Sequence, residues 1–221
     1  MSSSTAPGRA CDWHVLVMAK SPQPGKTKTR LCPPLSFGEA ADLAEAALTD
    51  TLEAVAGCGA TRRILALAGP PGDWIPPGFQ VIAQRGDTFA QRLTAAWADA
   101  GGRGLQIGMD TPQITPDLLD RCWDIASGPT TTAGLGLACD GGWWALALTE
   151  RPEQDPFDGV PMSTTQTGKA QLEKLRACGH STCLLPTLRD VDHIDDAIAV
   201  ASSIPESRFA QALERLDLAA C

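Results

Sequence analysis

The chain has 221 residues, 43% hydrophobic and 20% charged, which suffices for a sizeable core and excludes general disorder. Eighteen Lys and Arg against 26 Asp and Glu leave a net charge of −8, a balance that argues against a nucleic-acid partner but permits a small, local basic pocket. No apolar run reaches the ~18–20 residues that span a bilayer. The Ser/Pro/Gly-rich start carries no hydrophobic export segment, so a cytoplasmic protein is expected.

Residues 1–11 read as a disordered leader and 12–221 as a single domain. Trp13–Ala19 is a short, nearly continuous apolar run that suits a strand buried on both faces. A loop rich in Pro and Gly follows, from Lys20 to Ser36. Ser36 with Glu39 forms a capping box, which predicts a helix to about Ala56, closed by Gly57 and Gly59. Strands are predicted at Arg63–Ala68 and Phe79–Ala83, a helix at Thr88–Ala100, and a strand at Gly104–Gly108. Thr115 starts another helix, with Pro116 at its first position. Thr130–Cys139 and Trp143–Leu148 read as strands, Gln166–Ala177 as a helix and Ser181–Leu185 as a strand, with mostly helix from Ile194 onward. Strands alternating with helices through the first 125 residues indicate an α/β fold with a mostly parallel central sheet flanked by helices. The more β-rich remainder extends that sheet.

In an open α/β sheet ligands bind beyond the carboxyl ends of the strands, so the residues after each strand are the candidates. After the first strand come Lys20, Lys26, Lys28 and Arg30, four cations in eleven residues with no acid among them. With Pro22, Pro24 and Gly25 stiffening the loop and opening the backbone, this reads as an anion cradle for a di- or triphosphate. Gly25-Lys26-Thr27 does not complete a P-loop, because the glycine required five residues before Gly25 is Lys20. After the third strand, Gln84 has an amide that reads a nucleobase edge, Gly86 follows, and Asp87 or Thr88 caps the next helix.

After the fourth strand, Asp110 in Gly108-Met109-Asp110-Thr111-Pro112 is the expected anchor of a divalent cation. Asp140-Gly141-Gly142-Trp143-Trp144 sets an acid beside two glycines and two aromatics, where strand alternation sends one Trp inward and one outward. Asp190 and Asp192, two apart on an extended segment, point the same way and share or flank a metal. Asp195 and Asp196 serve the first turn of the last helix, and His193 reads as a surface residue. The eight cysteines contain no Cys-x-x-Cys pair and are expected as free thiols. Cys178, His180 and Cys183 form the only metal-like cluster among them, and it lacks a fourth ligand.

These blocks taken in order, Lys20-x-Pro22-x-Pro24-Gly25-x-x-Lys28-Thr29-Arg30-Leu31, Gln84-x-Gly86-Asp87 with Gln91-Arg92-Leu93, Gly108-x-Asp110-x-Pro112, Asp140-Gly141-Gly142-Trp143 and Asp190-Val191-Asp192, resemble the DUF2064 family. Those are GT-A-like proteins often labelled glycosyltransferases, and the resemblance runs from about Trp13 to Asp196. It implies a single-domain nucleotide-diphospho-sugar transferase fold, similar also to guanylyltransferases acting on small phosphorylated acids. The chain departs from the family in having Trp143 where Tyr is usual, and Leu135-Gly136-Leu137-Ala138 where a Gly-Pro is common.

Two activities are expected from this reading. In the first, a metal-dependent glycosyltransferase, Lys20, Lys28 and Arg30 hold the diphosphate of a nucleotide sugar with Lys26 assisting. Gly25 lets the backbone approach, and Gln84 contacts the base, with Gly86 in the same nucleotide-binding segment. Asp110 with Asp190 or Asp192 holds Mg²⁺ or Mn²⁺, and Asp140 orients an acceptor hydroxyl or takes its proton. The alternative is nucleotidyl transfer, in which the same cations clamp a nucleoside triphosphate and pyrophosphate leaves.

Overall fold

The structure, a computed structural model, describes residues 12–216, so the leader expected over 1–11 lies outside the described residues. Seven strands form one sheet in the order β3-β2-β1-β4-β6-β5-β7. They are β1 (His14–Lys20), β2 (Arg62–Ala68), β3 (Phe79–Ala83), β4 (Gly104–Ile107), β5 (Ala133–Ala138), β6 (Trp143–Leu148) and β7 (Thr182–Leu188). All pair in parallel except β6, which runs antiparallel to β4 and β5. The fold is therefore α/β with a mostly parallel sheet, and β5, β6 and β7 extend the sheet begun by the first half.

Helices cover both faces, which is why β1 is buried from His14 to Ala19 and reads as an unbroken apolar run. On one face α1 (Phe37–Gly57) and α3 (Pro116–Ala126) pack over Val15, Val17, Leu65 and Ile107. On the other, α2 (Phe89–Ala100) and α4 (Thr167–Ala177) pack over Leu16, Met18, Ile64 and Leu146, with Phe157 filling in beside them. The helix starts follow the capping chemistry. Ser36 accepts from Glu39 N–H while Glu39 accepts from Ser36 N–H, and Thr88 makes the same exchange with Gln91. Thr115 accepts from Leu118 N–H, with Pro116 in the first turn.

Three departures have physical causes. β7 runs on through Pro186 to Leu188 because it is an edge strand paired only with β5, where a missing N–H costs no ladder bond. The last helical stretch is two helices, α5 (Ile194–Ser203) and α6 (Arg208–Glu214), interrupted around Pro205. Trp143 and Trp144 do point to opposite faces, but both faces are covered. Trp144 is buried and donates its indole N–H to the Pro186 carbonyl at 2.8 Å, while Trp143 stacks on Phe157 with ring centroids 6.5 Å apart.

A third apolar cluster joins α1, α5 and α6 to Leu31 and Leu35 of the first loop and to Val191 after β7. It brings the first loop together with α5 and α6 beside the carboxyl ends of the strands. Among the described residues no helix is long and apolar enough to cross a membrane. Cys32, Cys58, Cys122, Cys139, Cys178 and Cys183 are free thiols, and His180 shares a hydrogen bond with the Thr132 hydroxyl at 3.1 Å.

Gly141 is the backbone position on which the Asp140 turn depends. Its φ is +91°, and a Cβ there would overlap the Thr165 carbonyl, while its own carbonyl accepts from Gly168 N–H at 2.8 Å. Gly141→Ala should therefore lower stability by about 2–3 kcal/mol in urea unfolding. An unchanged midpoint would mean that this contact does not fix the turn.

Candidate functional site

The first loop is braced before any charge is considered. Ser21 N–H continues the ladder to the Ala68 carbonyl at 2.9 Å, its hydroxyl donates to the Pro70 carbonyl at 2.7 Å, and Thr27 donates back to the Ser21 carbonyl at 2.9 Å. These bonds turn the loop across the end of the sheet toward the segments that follow β4 and β7. Lys28 sits there in the left-handed region at φ 54°, an arrangement that a non-glycine residue adopts at a cost.

What offsets that cost is the environment of its ammonium group. The side chain is 8% exposed, and Nζ donates to the Asp110 carboxylate and to the Val191 carbonyl, with Asp192 at 3.9 Å. Arg30 adds a more open ion pair, Nη1 to Asp192 Oδ2 at 2.6 Å. Val191 N–H donates to the Asp110 carbonyl at 2.8 Å, so the β4 and β7 turns are tied to each other as well as to the loop. Basic loop and acidic anchor thus meet at one end of the sheet. Lys20, at the end of β1, and Lys26 are exposed and make no ion pair among the described residues.

The acids cluster more tightly than the sequence spacing implies. Asp140, Asp190 and Asp192 each offer a carboxylate oxygen within 4.8 Å of the others. The reason is strand order: β5 and β7 are parallel neighbours, so the turns after them lie side by side. Asp140, expected as a catalytic residue apart from the metal ligands, thus stands among them, while Asp110, expected as a ligand, is bonded to Lys28. Burial, then the nearby charges of Asp140, Asp192 and Asp110, push the Asp190 carboxyl up to about 6. One oxygen of Asp140 accepts from Gly142 N–H at 2.7 Å. A set of hard carboxylate oxygens in mutual repulsion fits Mg²⁺ or Mn²⁺ in donor chemistry and in charge.

The remaining sequence candidates fall elsewhere or do other work. Gln84 donates both amide hydrogens to main-chain carbonyls, of Ala19 and Ala66, each at 2.9 Å, leaving only its carbonyl oxygen for a ligand. Gly86 has φ +121°, and a Cβ there would lie 2.7 Å from Gln91 Cβ, so the helix beside it requires glycine. Gly25 sits in the exposed turn that precedes Lys26. Asp196 accepts from His193 N–H at 3.0 Å and pairs with Arg189 at 3.0 Å, as a first-turn residue should.

Two contributors escape the sequence reading. Gln113 donates to the Arg189 carbonyl at 2.5 Å and steadies the Asp190–Asp192 segment, and the Val191 carbonyl supplies half of the Lys28 seat. Neither announces itself, since one is a lone amide in a loop and the other is backbone. Beside Asp110, the buried Thr111 hydroxyl and the Gln113 Oε1 have no hydrogen-bond partner among the described residues.

A family model described as an uncharacterized protein conserved in bacteria (DUF2064) matches residues 42–164. Among solved structures, a candidate nucleotide-diphospho-sugar transferase from Desulfovibrio desulfuricans G20 superposes with a TM-score of 0.79 at 25% identity, over 91% of this chain and 93% of that one. Rv0371c from Mycobacterium tuberculosis H37Rv shares the fold at TM-score 0.54 and 20% identity, over 87% of this chain and 100% of its own. So does the 2-C-methyl-D-erythritol 4-phosphate cytidylyltransferase of Thermus thermophilus, at 0.53 and 17%, over 88% and 99%. No curated protein matches the sequence.

The raised pKa of Asp190 makes the cluster a local cost to the fold once it ionises. Below the ordinary carboxylate range the group is protonated in both folded and unfolded states and costs nothing. As pH rises through about 6 the folded form is forced to ionise and stability is lost. Asp190→Asn should therefore stabilise the metal-free protein by about 1–3 kcal/mol at pH 8. In scanning calorimetry that gain should shrink to nothing by about pH 4. A difference independent of pH would remove the electrostatic account.

Proposed function

The chain belongs to the DUF2064 family, and on that footing we propose that it is a metal-dependent transferase that moves a sugar from a nucleotide-diphospho-sugar to an acceptor hydroxyl. The observation that supports this reading is the meeting of Lys28 and Arg30 with Asp110 and Asp192, beside the clustered Asp140 and Asp190 carboxylates, at one end of the sheet. The likeness to the Desulfovibrio protein favours sugar transfer over the nucleotidyl transfer that the sequence also allows.

Each residue has work that its surroundings suit. Lys20 and Lys26, exposed and without an ion pair among the described residues, meet the diphosphate first. Lys28 and Arg30 are preset on Asp110 and Asp192 and bond to phosphate oxygens as those carboxylates find another cation. Asp190 and Asp192, which stand together with Asp140, would hold Mg²⁺ or Mn²⁺, with the Asp110 oxygen that Lys28 leaves free as a further donor. Bound there, the ion stabilises the charge on the departing diphosphate.

Asp140 is the most open of the four acids, and with one oxygen fixed by Gly142 it presents the other to an acceptor. The acceptor oxygen bonds to the anomeric carbon. The bond from that carbon to the phosphate oxygen breaks, its electron pair leaves with the nucleoside diphosphate, and the acceptor proton passes to Asp140.

A panel of nucleotide sugars incubated with Mn²⁺ tests the reading through release of nucleoside diphosphate. Pyrophosphate released from a nucleoside triphosphate would support nucleotidyl transfer instead. Asp192→Asn should weaken Mn²⁺ binding at least about tenfold in calorimetry, the effect of losing one charged ligand. Asp140→Asn should leave that affinity within about threefold while lowering turnover at least about 100-fold, the usual scale for a proton acceptor. Loss of metal binding in Asp140→Asn would make Asp140 a ligand and leave the proton with another group.

A further inference from the structure

Helix α4 starts without the cap that most of its neighbours have. Ser36, Thr88, Thr115 and Ser207 each place a side-chain oxygen over the first turn of α1, α2, α3 and α6. α4 begins after Gln166, whose side chain makes no such bond, so its first N–H groups need an acceptor from elsewhere. One of them finds it in the Asp140 turn, where Gly168 N–H donates to the Gly141 carbonyl at 2.8 Å. We propose that Gly168 is a positioning residue for Asp140, and that α4 holds and polarises the Asp140 carboxylate through the single peptide group between Gly141 and Gly142. The proposal rests on the sugar-transfer reading for the role of Asp140 as proton acceptor, but the positioning itself is measurable without turnover.

The bonds form a relay. The peptide that accepts from Gly168 through the Gly141 oxygen donates, through Gly142 N–H, to Asp140 Oδ1 at 2.7 Å. A donor on the carbonyl leaves the N–H of the same peptide more positive, so the two bonds strengthen each other. That donor stands in the first turn of an 11-residue helix, where the aligned peptide dipoles leave partial positive charge and no acidic side chain offsets it. The pull of α4 thus arrives at Asp140 with no side chain in between. With one oxygen held, the carboxyl group keeps a single orientation for the other.

Close approach is what requires glycine at this position. A Cβ at 168 would lie 2.5 Å from the Gly142 carbonyl oxygen, 2.8 Å from Leu137 Cδ2 and 3.1 Å from the Gly141 oxygen. Two of those three atoms are carbonyls of the turn itself, so a side chain there pushes α4 off the peptide that caps it. Helix-forming tendency gives no reason for the choice, since glycine is a poor helix former.

The helix is braced on its other side. Thr167, 6% exposed, donates its hydroxyl to the Pro161 carbonyl at 2.8 Å and accepts from Thr164 N–H at 3.0 Å. This closes the loop ahead of α4 and sets the Thr165 carbonyl against Gly141. Further along, the buried Gln171 donates to the Pro156 carbonyl at 2.7 Å. α4 is therefore a fastened support against which the Asp140 turn is set.

Two measurements on the full chain test this. In ¹⁵N-labelled, metal-free protein, Asp140→Ala should move the Gly168 amide proton upfield together with that of Gly142. The Ala170 amide, bonded to the Gln166 carbonyl within the helix, should stay in place. Gly168→Ala, assayed where circular dichroism shows it fully folded, should lower kcat for nucleoside diphosphate release at least about tenfold, the scale of a misplaced reacting group. KM for the nucleotide sugar and the affinity for Mn²⁺ should stay within about threefold, because other side chains hold phosphate and ion. Three results would overturn the proposal: turnover of the folded variant close to wild type, a loss of Mn²⁺ affinity as large as the loss in kcat, or a Gly168 resonance that ignores Asp140. If Gly168→Ala does not fold, the resonance decides alone. If the wild-type chain cleaves no nucleotide sugar, the transfer reading fails, and the amide resonances still decide whether α4 holds Asp140.

Discussion

One ammonium group organises the working end of this molecule. Lys28 reaches from the first loop into a seat made by the Asp110 carboxylate and the Val191 carbonyl, so three segments far apart in sequence converge on a single charge. The Lys28 side chain is 8% exposed and that of Asp110 43%, so it is removal of Asp110 that would leave a charge, the ammonium, in a place that water reaches poorly. The apolar cluster of Leu31, Leu35 and Val191 against α1, α5 and α6 holds the backbone on either side, which lets a strained Lys28 stay where it is. Packing fixes the frame and the charge fixes the register of the turns within it.

The same arrangement sets up a competition that suits phosphate chemistry. Lys28 and Arg30 are compensated by Asp110 and Asp192, while Asp140 and Asp190 have no cation of their own among the described residues. A ligand bringing phosphate oxygens and a divalent ion satisfies both halves at once: phosphates take the basic side chains, and the ion takes the carboxylates. Either component alone leaves one half worse off. Binding of the two should therefore be mutually favourable, the expected behaviour of a site that works on an activated phosphate ester.

Much of the fold was legible because local signals agreed with one another. The buried run at β1, the capping boxes at Ser36 and Thr88, and Thr115 before Pro116 each announce their element, and the structure places the elements within a few residues of those signals. The misreadings came where tertiary neighbours decide. β7 continues through Pro186 only because an edge position forgives a missing donor. Gln84 looked like a free amide at a strand end and turned out to bridge two strand carbonyls.

The sequence by itself determined which residues stand at the strand ends, since an α/β alternation puts every post-strand loop after a parallel strand on one side of the sheet. That was enough to name Lys28, Asp110, Asp140, Asp190 and Asp192 as candidates. Which of them meet was decided only by the order of the strands. β5 beside β7 brings Asp140 to Asp190, and Val191, bonded to Asp110, brings the β7 turn to Lys28. Strand order depends on how whole faces of helix and sheet pack, a property of the assembled core that no local run of residues encodes.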